Sequence, residues 1–171
     1  MGKKTSYDHK EVLQLCEGEI FGDDAPKFPR SKMLMIDRID RVSENEGKYN
    51  KGVVIATFDI RPDLWFFECH FKNDPVMPGC LGLDGMWQLI GFYLAWMGYK
   101  GKGRALGVKE VKFTGEVIPK NKVVKYIVDI KRVINLKLVM AIADGRLEVD
   151  SQEIYRATDM RVGLFSNNGM H

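Results

Sequence analysis

The sequence lacks most features that mark membrane, metal-binding or disulfide-stabilised proteins. Its longest apolar run, roughly Leu89 to Met97, is far shorter than the ~20 residues that a membrane-spanning helix needs. Its three cysteines show no CxxC spacing, and no signal peptide is evident at the N-terminus, so we expect reduced thiols and a cytoplasmic location. Three scattered histidines add no metal-site spacing, so no metal is expected.

Signatures of nucleotide-binding proteins and serine hydrolases are missing as well. The stretch Gly101-Lys102-Gly103-Arg104 follows a predicted helix instead of opening one, which argues against a phosphate loop, and no GxSxG motif occurs. The formal charge is only +3, from 26 Lys and Arg against 23 Asp and Glu. Such a balance permits an acidic partner but argues against a nucleic-acid binder.

What the chain does have is enough apolar material for one packed domain spanning residues 1–171. Residues 1–30 are predicted to form a helix and an arm, because Thr5-Ser6-Tyr7-Asp8 has capping-box spacing and near-helical apolar periodicity follows. Residues 166–171 are predicted to be a flexible tail. Runs rich in β-branched residues between turn signals predict strands over residues 33–42, 51–60, 104–117, 123–134, 137–149 and 154–165. We interpret Asp144-Gly145 as a bulge within a long strand.

Residues 79–97 are apolar on nearly every face of a helix, which predicts a buried helix about 28 Å long. Its glycines, Gly82, Gly85 and Gly91, would let other backbone pack close. One buried helix followed by consecutive antiparallel strands predicts an α+β domain, with a curved sheet wrapped around the helix. Because such a sheet leaves open edges, we expect a dimer.

Three features of the segment 63–84 together indicate chemistry. His70 lies in an aromatic-rich loop, Pro78-Gly79 opens the buried helix, and Asp84 lies within it. A histidine can exchange protons near neutral pH, and burial in an apolar helix favours the protonated form of a carboxyl group. Free backbone N–H groups at a helix start can stabilise an oxyanion. Base, acid and oxyanion site together describe β-elimination of water from a 3-hydroxyacyl thioester.

Each feature also has a structural explanation, and the residues alone leave both open. A histidine beside aromatic side chains can be purely structural, an acidic residue early in a helix can favour the helix dipole, and Pro78-Gly79 can be a plain turn. Cys69 and Cys80 flank the segment, but His70 is the one evident activating partner for a cysteine nucleophile. His9 is expected to be solvated on the first helix, and His171 to lie in the tail.

The motif from His70 to Asp84, with Asp74-Pro75-Val76-Met77-Pro78-Gly79 between them, resembles the bacterial 3-hydroxydecanoyl-[acyl-carrier-protein] dehydratase/isomerase family, also called the β-hydroxydecanoyl thioester dehydrase family. Further similar stretches extend over nearly the whole chain, at residues 33–35, 63–67, 86–89, 103–107, 111–115 and 162–165. The resemblance implies a hot-dog fold and a homodimer with two active sites at the interface. It also implies dehydration of a 3-hydroxyacyl chain of about ten carbons, and isomerisation of the trans-2 product to cis-3, for unsaturated fatty-acid synthesis.

The resemblance also implies a role for individual residues. His70 would remove the C2 proton, Asp84 of the partner subunit would help the C3 hydroxyl leave, the Gly79 N–H would hold the thioester carbonyl, and the Val76 carbonyl would orient the imidazole. No cofactor is implied. Related dehydratases that do not usually isomerise carry Glu at the position of Asp84, which favours the isomerising branch.

The implied substrate carrier is an acidic acyl carrier protein, so basic residues are expected near the tunnel mouth. Candidates are Lys131, Arg132, Lys137 and Arg161, with ordinary solvated surface as the alternative. Candidates to line the acyl tunnel are Phe71, Trp87 and Phe92, with core packing as the alternative. Two other classes of function stay open. One is another enzyme on the same fold, either an acyl thioesterase or a dehydratase without isomerase activity; the other is a catalytically idle acyl-binding module or assembly subunit.

Overall fold

One long helix lies against a seven-stranded antiparallel sheet in the computed structural model, which describes residues 2–166. The helices are α1 (His9–Glu17), α2 (Trp65–Cys69) and α3 (Gly79–Trp96), with a short 3-10 turn at Ser31–Met33. The strands are β1 (Arg38–Ser43), β2 (Val53–Asp59), β3 (Lys102–Gly107), β4 (Glu110–Phe113), β5 (Val123–Asn135), β6 (Val139–Val149) and β7 (Gln152–Phe165). Within the described residues, no helix is both long and apolar enough to cross a membrane.

The sheet follows the order β1-β2-β5-β6-β7-β3, and β4 also pairs with β7. The three long strands β5, β6 and β7 form its centre, and α3 contacts β2, β3, β5, β6 and β7. A shift of register between Ala143 and Gly145 places the predicted bulge within β6. The predicted α+β class and hot-dog fold are confirmed.

Two glycines allow α3 to lie close to the sheet. A Cβ on Gly82 would come within 2.6 Å of the Tyr155 ring and 2.8 Å of Leu147, and one on Gly85 would meet Tyr126 at 2.7 Å. Both tyrosines are almost fully buried. The sequence predicted close approach of other backbone at Gly82, Gly85 and Gly91. The close neighbours of Gly82 and Gly85 are instead side chains of the sheet, and a Cβ on Gly91 would meet no heavy atom within 4 Å among the described residues.

One face of α3 is less buried than the sequence predicted. Cys80 is exposed, and Asp84, Trp87, Gln88 and Gly91 are only partly buried, while the opposite face is fully covered. These positions recur at helical spacing, so they form one continuous stripe. The prediction of a helix buried on all sides was wrong for this stripe, which the sheet of the same chain does not cover.

The N-terminal arm packs over one end of α3. Phe28 stacks on Phe92 with ring centroids 5.7 Å apart, and Tyr7 and Phe21 pack against Phe92 from other directions. Helix α1 begins with a capping box, in which the side chain of Asp8 accepts a hydrogen bond from the Glu11 N–H and the side chain of Glu11 accepts one from the Asp8 N–H. The box therefore starts at Asp8, three residues later than predicted, because Tyr7 is held in a bridge to Ile39.

Three other predictions need correction. The predicted strand over residues 33–42 begins only at Arg38, because the residues before it form a 3-10 turn and a connecting segment. The predicted strand over 104–117 is two strands, β3 and β4, which pair with successive parts of β7. The aromatic-rich loop before His70 contains the short helix α2. Of the predicted tail, residues 167–171 lie outside the described part.

Candidate active site

His70 stands at the end of α2, where the chain turns toward α3. Its backbone N–H donates to the Phe66 carbonyl at 2.9 Å, so the imidazole projects from a capped helix end. The loop that follows is closed by reciprocal bonds between Phe71 and Asp74 and by the Val76 N–H, which donates to the His70 carbonyl at 2.7 Å. The His70–Phe71 peptide bond is cis. The backbone of His70 is therefore held by hydrogen bonds at both its N–H and its carbonyl.

The Val76 carbonyl lies 2.9 Å from Nδ1 of His70. A carbonyl oxygen can only accept, so a neutral His70 carries its proton on Nδ1 and presents an unprotonated Nε2. The side chain is partly buried. This is the tautomer that a general base needs.

Helix α3 begins at Gly79, with Pro78 at the N-cap and no capping side chain within the described residues. The first N–H groups of a helix have no acceptor within the helix itself. The Phe113 ring lies against Gly79, since a Cβ there would come within 2.9 Å of it, and more than half of this phenylalanine is exposed. The helix start is therefore an apolar surface with free N–H donors, which suits an oxyanion.

Asp84 is the sixth residue of α3, on the partly exposed stripe. Oδ2 of Asp84 accepts from Nε2 of Gln88, one turn further along, at 2.6 Å. The same Nε2 donates to the Met33 carbonyl at 2.8 Å, and Oε1 of Gln88 accepts from the Met35 N–H at 3.1 Å. Since only the amide oxygen can accept from Met35, these contacts fix which end of the Gln88 amide faces the carboxyl group.

A cavity of about 320 Å3 contains Asp84 and Trp87 in its wall, together with residues of the N-terminal arm and of β3. His70 is not part of this wall. The two predicted catalytic residues therefore face different surroundings within one chain.

Tyr126 lies beneath α3, and burial raises the pKa of its hydroxyl, so the hydroxyl stays neutral. This hydroxyl has no hydrogen-bond partner within the described residues.

The three candidates for an acyl tunnel have different environments. Trp87 lines the cavity that contains Asp84, and its Nε1 donates to the Gly107 carbonyl at 3.4 Å. Phe71 is 54% exposed beside the His70 ring, with centroids 4.0 Å apart. Phe92 is only 4% exposed within the aromatic cluster of the arm, so its ring packs in the core instead of lining this cavity.

The four candidates for carrier docking are also unlike one another. Nζ of Lys131 forms ion pairs with Oδ1 of Asp159 at 2.6 Å and with Oδ1 of Asp144 at 3.6 Å. Within the described chain, no ion pair involves Arg132, Lys137 or Arg161. Lys137 lies at the turn between β5 and β6, next to Leu136, which is 82% exposed. Three of the four cations are thus available for an acidic partner.

Two neighbours of the site were missed by the sequence analysis. Gln88 could have been found, because a residue four positions after Asp84 lies on the same helix face. Phe113 carries no such signal, since it reaches Gly79 only through the folding of the sheet.

Cys69 and Cys80 are exposed free thiols, and Cys16 is buried. Over residues 2–166, no group of three or more His, Cys, Asp or Glu side chains is placed to hold a metal ion.

Comparison with known proteins adds a family and a fold. The model of the FabA-like domain matches residues 28–158, more than half of the chain. A chain of the dehydratase heterocomplex ApeI:P from Xenorhabdus doucetiae is similar with a TM-score of 0.62 and 14% identity, over 81% of this chain and 87% of that one. AziG from S. sahachiroi reaches a TM-score of 0.52 with 9% identity, over 75% and 90%. A hypothetical thioesterase from Streptococcus pneumoniae, solved with coenzyme A, reaches 0.50 with 8% identity, over 75% and 84%. At these identities, the solved structures show similarity of fold alone.

Proposed function

The chain belongs to the family of FabA-like domains, and from this premise we propose that it is a dehydratase that removes water from (3R)-3-hydroxyacyl thioesters. One observation carries the proposal. An imidazole whose Nδ1 is held by the Val76 carbonyl precedes the helix start at Gly79, which no side chain of residues 2–166 caps, and that same helix carries the carboxyl group of Asp84. These are the base, the oxyanion donor and the acid that β-elimination requires.

His70 is the base of the proposed reaction. Nε2 takes the proton from C2 of the substrate, and negative charge moves onto the thioester oxygen as the C2–H bond breaks. The Gly79 N–H at the start of α3 stabilises this charge, aided by the positive end of the helix dipole. The Val76 carbonyl stabilises the imidazolium that results, because it accepts a hydrogen bond from the N–H that remains at Nδ1.

Asp84 is the acid. Its protonated carboxyl group donates to the C3 hydroxyl, the C3–O bond breaks, and water leaves while the electrons of the former C2–H bond form the C2=C3 double bond. Gln88 occupies Oδ2 of the carboxyl group, so Oδ1 is the atom that faces the substrate. When water has left, the imidazolium is deprotonated and Asp84 regains its proton.

We place His70 and Asp84 of one active site on different subunits of a homodimer. Two observations support this arrangement. The cavity beside Asp84 does not include His70, and the stripe of α3 that bears Asp84 is left partly uncovered by its own chain. A second copy placed against this stripe would bring its own His70 and Gly79 to the carboxyl group.

The finer features of the proposal rest on the similarity of the motif between His70 and Asp84 to the dehydratase/isomerase family. They are a substrate of about ten carbons on an acyl carrier protein, isomerisation of the trans-2 product to cis-3, and a role in unsaturated fatty-acid synthesis. Asp84, in place of Glu, favours isomerisation. Of the four candidate cations, Arg132, Lys137 and Arg161 form no ion pair among the described residues, and they would meet an acidic carrier.

Product analysis tests the proposal. The purified protein is incubated with a ten-carbon 3-hydroxyacyl thioester, and products are separated by chromatography. We expect both trans-2 and cis-3 enoyl thioesters. The trans-2 product alone would support dehydratase activity and refute isomerase activity. Free acid would instead indicate a thioesterase, and binding without any product would indicate an acyl-binding module.

A further inference from the structure

We infer that the tip of the hairpin between β5 and β6 docks on an anionic lipid surface. Leu136 stands at this tip and is 82% exposed, more than any other large apolar residue of the described chain. It borders a shallow cavity of about 660 Å3, which Lys137 and three aliphatic residues also line: Ile134, Leu138 and Met140. An exposed apolar surface of this kind marks a contact site for a membrane or for another protein.

The apolar surface continues from the tip onto one face of the sheet. A Cβ on Gly163 of β7 would meet Leu106 at 2.8 Å and Leu138 at 3.3 Å, so these two leucines lie together over β7. Leu106 is itself 43% exposed. Val162, the preceding residue, lines the cavity beside Asp84, so Gly163 faces the opposite side of the sheet. This surface, the tip patch, consists of Leu106, Ile134, Leu136, Leu138 and Met140.

The tip patch is flanked by cations. Arg132 of β5 and Arg161 of β7 both pair with Ile142 of β6. Because Ile142 is two residues from Met140, these arginines lie on the same face of the sheet as the patch. Lys137 lies at the tip itself.

No acidic side chain lies among these cations in the sequence. Three paired strand segments meet at this corner of the sheet and together contain five Lys or Arg and no Asp or Glu. They are residues 102–107, 132–143 and 161–165. None of the five cations forms an ion pair within residues 2–166. The corner therefore favours a partner that carries negative charge.

The chemistry of the tip patch favours a bilayer over a protein as that partner. Aliphatic side chains enter the acyl region without a preformed pocket, while neighbouring Lys and Arg stay among the anionic headgroups. A specific protein interface instead carries about one hydrogen bond per 100–200 Å2 and is anchored by aromatic residues. The side chains of the tip patch offer neither. An acidic carrier protein would meet the cations without needing the leucines.

The hairpin is placed to reach a flat surface. β2 pairs with β5 only as far as Asp129, so the end of β5 and the turn extend beyond this neighbour. The turn at residues 136–138 lies outside the paired strands, so its backbone polar groups need water or headgroups as partners. Insertion is therefore shallow and is limited to side chains. Such contact needs no membrane-spanning helix, and none occurs within the described residues.

Co-sedimentation of the full chain with lipid vesicles tests the inference. Vesicles of phosphatidylcholine alone are compared with an equimolar mixture of phosphatidylcholine and phosphatidylglycerol. We expect binding to the mixed vesicles, little binding to phosphatidylcholine alone, and weaker binding as salt is raised. Leu136→Asn should lower the partition coefficient about tenfold, and Lys137→Gln about fivefold.

Leu13→Asn is the matched control, because Leu13 is a 46% exposed leucine on α1, outside the tip patch. Its binding to the mixed vesicles should equal that of the unchanged protein. Thermal unfolding verifies that each variant is folded. The assay does not depend on enzyme activity, so its result stands apart from the proposed dehydratase.

Three results would overturn the inference. The first is absence of binding to both kinds of vesicle. The second is binding to the mixed vesicles that Lys137→Gln weakens and Leu136→Asn leaves unchanged, because the cations alone would then attract the lipid. The third is a Leu136→Asn variant that binds vesicles normally but has a raised KM for a carrier-linked substrate and an unchanged KM for a small thioester, which would assign the patch to the carrier protein.

Discussion

Nε2 of Gln88 donates to Oδ2 of Asp84 at 2.6 Å, while the other end of the same amide accepts from the Met35 backbone at 3.1 Å. The segment that follows the N-terminal arm thus fixes the orientation of the proposed acid through a single side chain. One carboxyl oxygen is occupied by Gln88 and the other is left for the substrate. We therefore propose that Gln88 is a positioning residue for Asp84.

Replacing Gln88 by Leu is expected to lower kcat about 10- to 100-fold with little change in KM, because misplacement of a reacting group by about 1 Å has costs of this size. Steady-state kinetics, with thermal unfolding to verify folding, separates the effect on kcat from the effect on KM. Gln14→Leu on α1 serves as the matched control. A raised KM with unchanged kcat would show that Gln88 contacts substrate instead of positioning the acid.

A side chain at position 82 should lower the stability of the fold. A methyl group there would lie within 2.6 Å of the Tyr155 ring and 2.8 Å of Leu147. We expect Gly82→Ala to lower the free energy of unfolding by about 1–3 kcal/mol through overpacking, even though alanine favours helix by about 1 kcal/mol. Urea denaturation measures this value. Gly91→Ala, which meets no such contact, should be neutral or slightly stabilising, and equal effects of the two substitutions would contradict this account of α3 packing.

The ion pair between Arg38 on β1 and Asp59 on β2 should make stability depend on acid pH. The two side chains form a bidentate pair at 2.7 and 2.9 Å, and the hydrogen bond from Arg38 holds the pKa of Asp59 below its ordinary value. A pKa depressed in the folded state stabilises the protein above the unfolded pKa of about 4, and the gain is lost as pH falls through the lower folded value.

We therefore expect Asp59→Asn to destabilise the protein at pH 7 by up to about 1 kcal/mol, the range for partly exposed pairs. The difference from the unchanged protein should shrink as pH falls from about 5 to 2. Thermal melts across this range provide the measurement, with Asp40→Asn, an exposed acid on the partner strand β1, as control. A difference that stays constant with pH would mean that the carboxylate charge is not what stabilises this strand pair.

Helix α3 and the long strands could be predicted because their information is local. Apolar residues fill 79–97 between clear turn signals, and β-branched residues fill β5, β6 and β7. The break between β3 and β4 could not be predicted, since it depends on both pairing with the single partner β7. The helix α2 was missed because five residues are too few to show a helical period.

The site shows the same division between local and distant information. Asp84 stands out in sequence because it is an isolated ionisable residue among apolar ones, and His70 because it lies between Cys69 and Phe71 in an aromatic-rich segment. The hydrogen bond that Nδ1 of His70 donates to the Val76 carbonyl joins residues six positions apart, so it belongs to one loop. Other contacts of the site connect distant segments, and only the folded chain brings them together. They are the contact between Phe113 and Gly79 and the hydrogen bonds between the Gln88 amide and the backbone of Met33 and Met35.

The most direct test of the account is complementation between two inactive variants, His70→Asn and Asp84→Asn. Each alone is expected to lose at least about a hundredfold in the rate of water elimination from a 3-hydroxyacyl thioester. When the two chains are co-expressed, half of the dimers are mixed, and each mixed dimer rebuilds one complete site, so about a quarter of the original activity should return. Return of activity would support a dehydratase site made of His70 from one subunit and Asp84 from the other. Mixed dimers that form but stay inactive, or a single variant that keeps full activity, would contradict it.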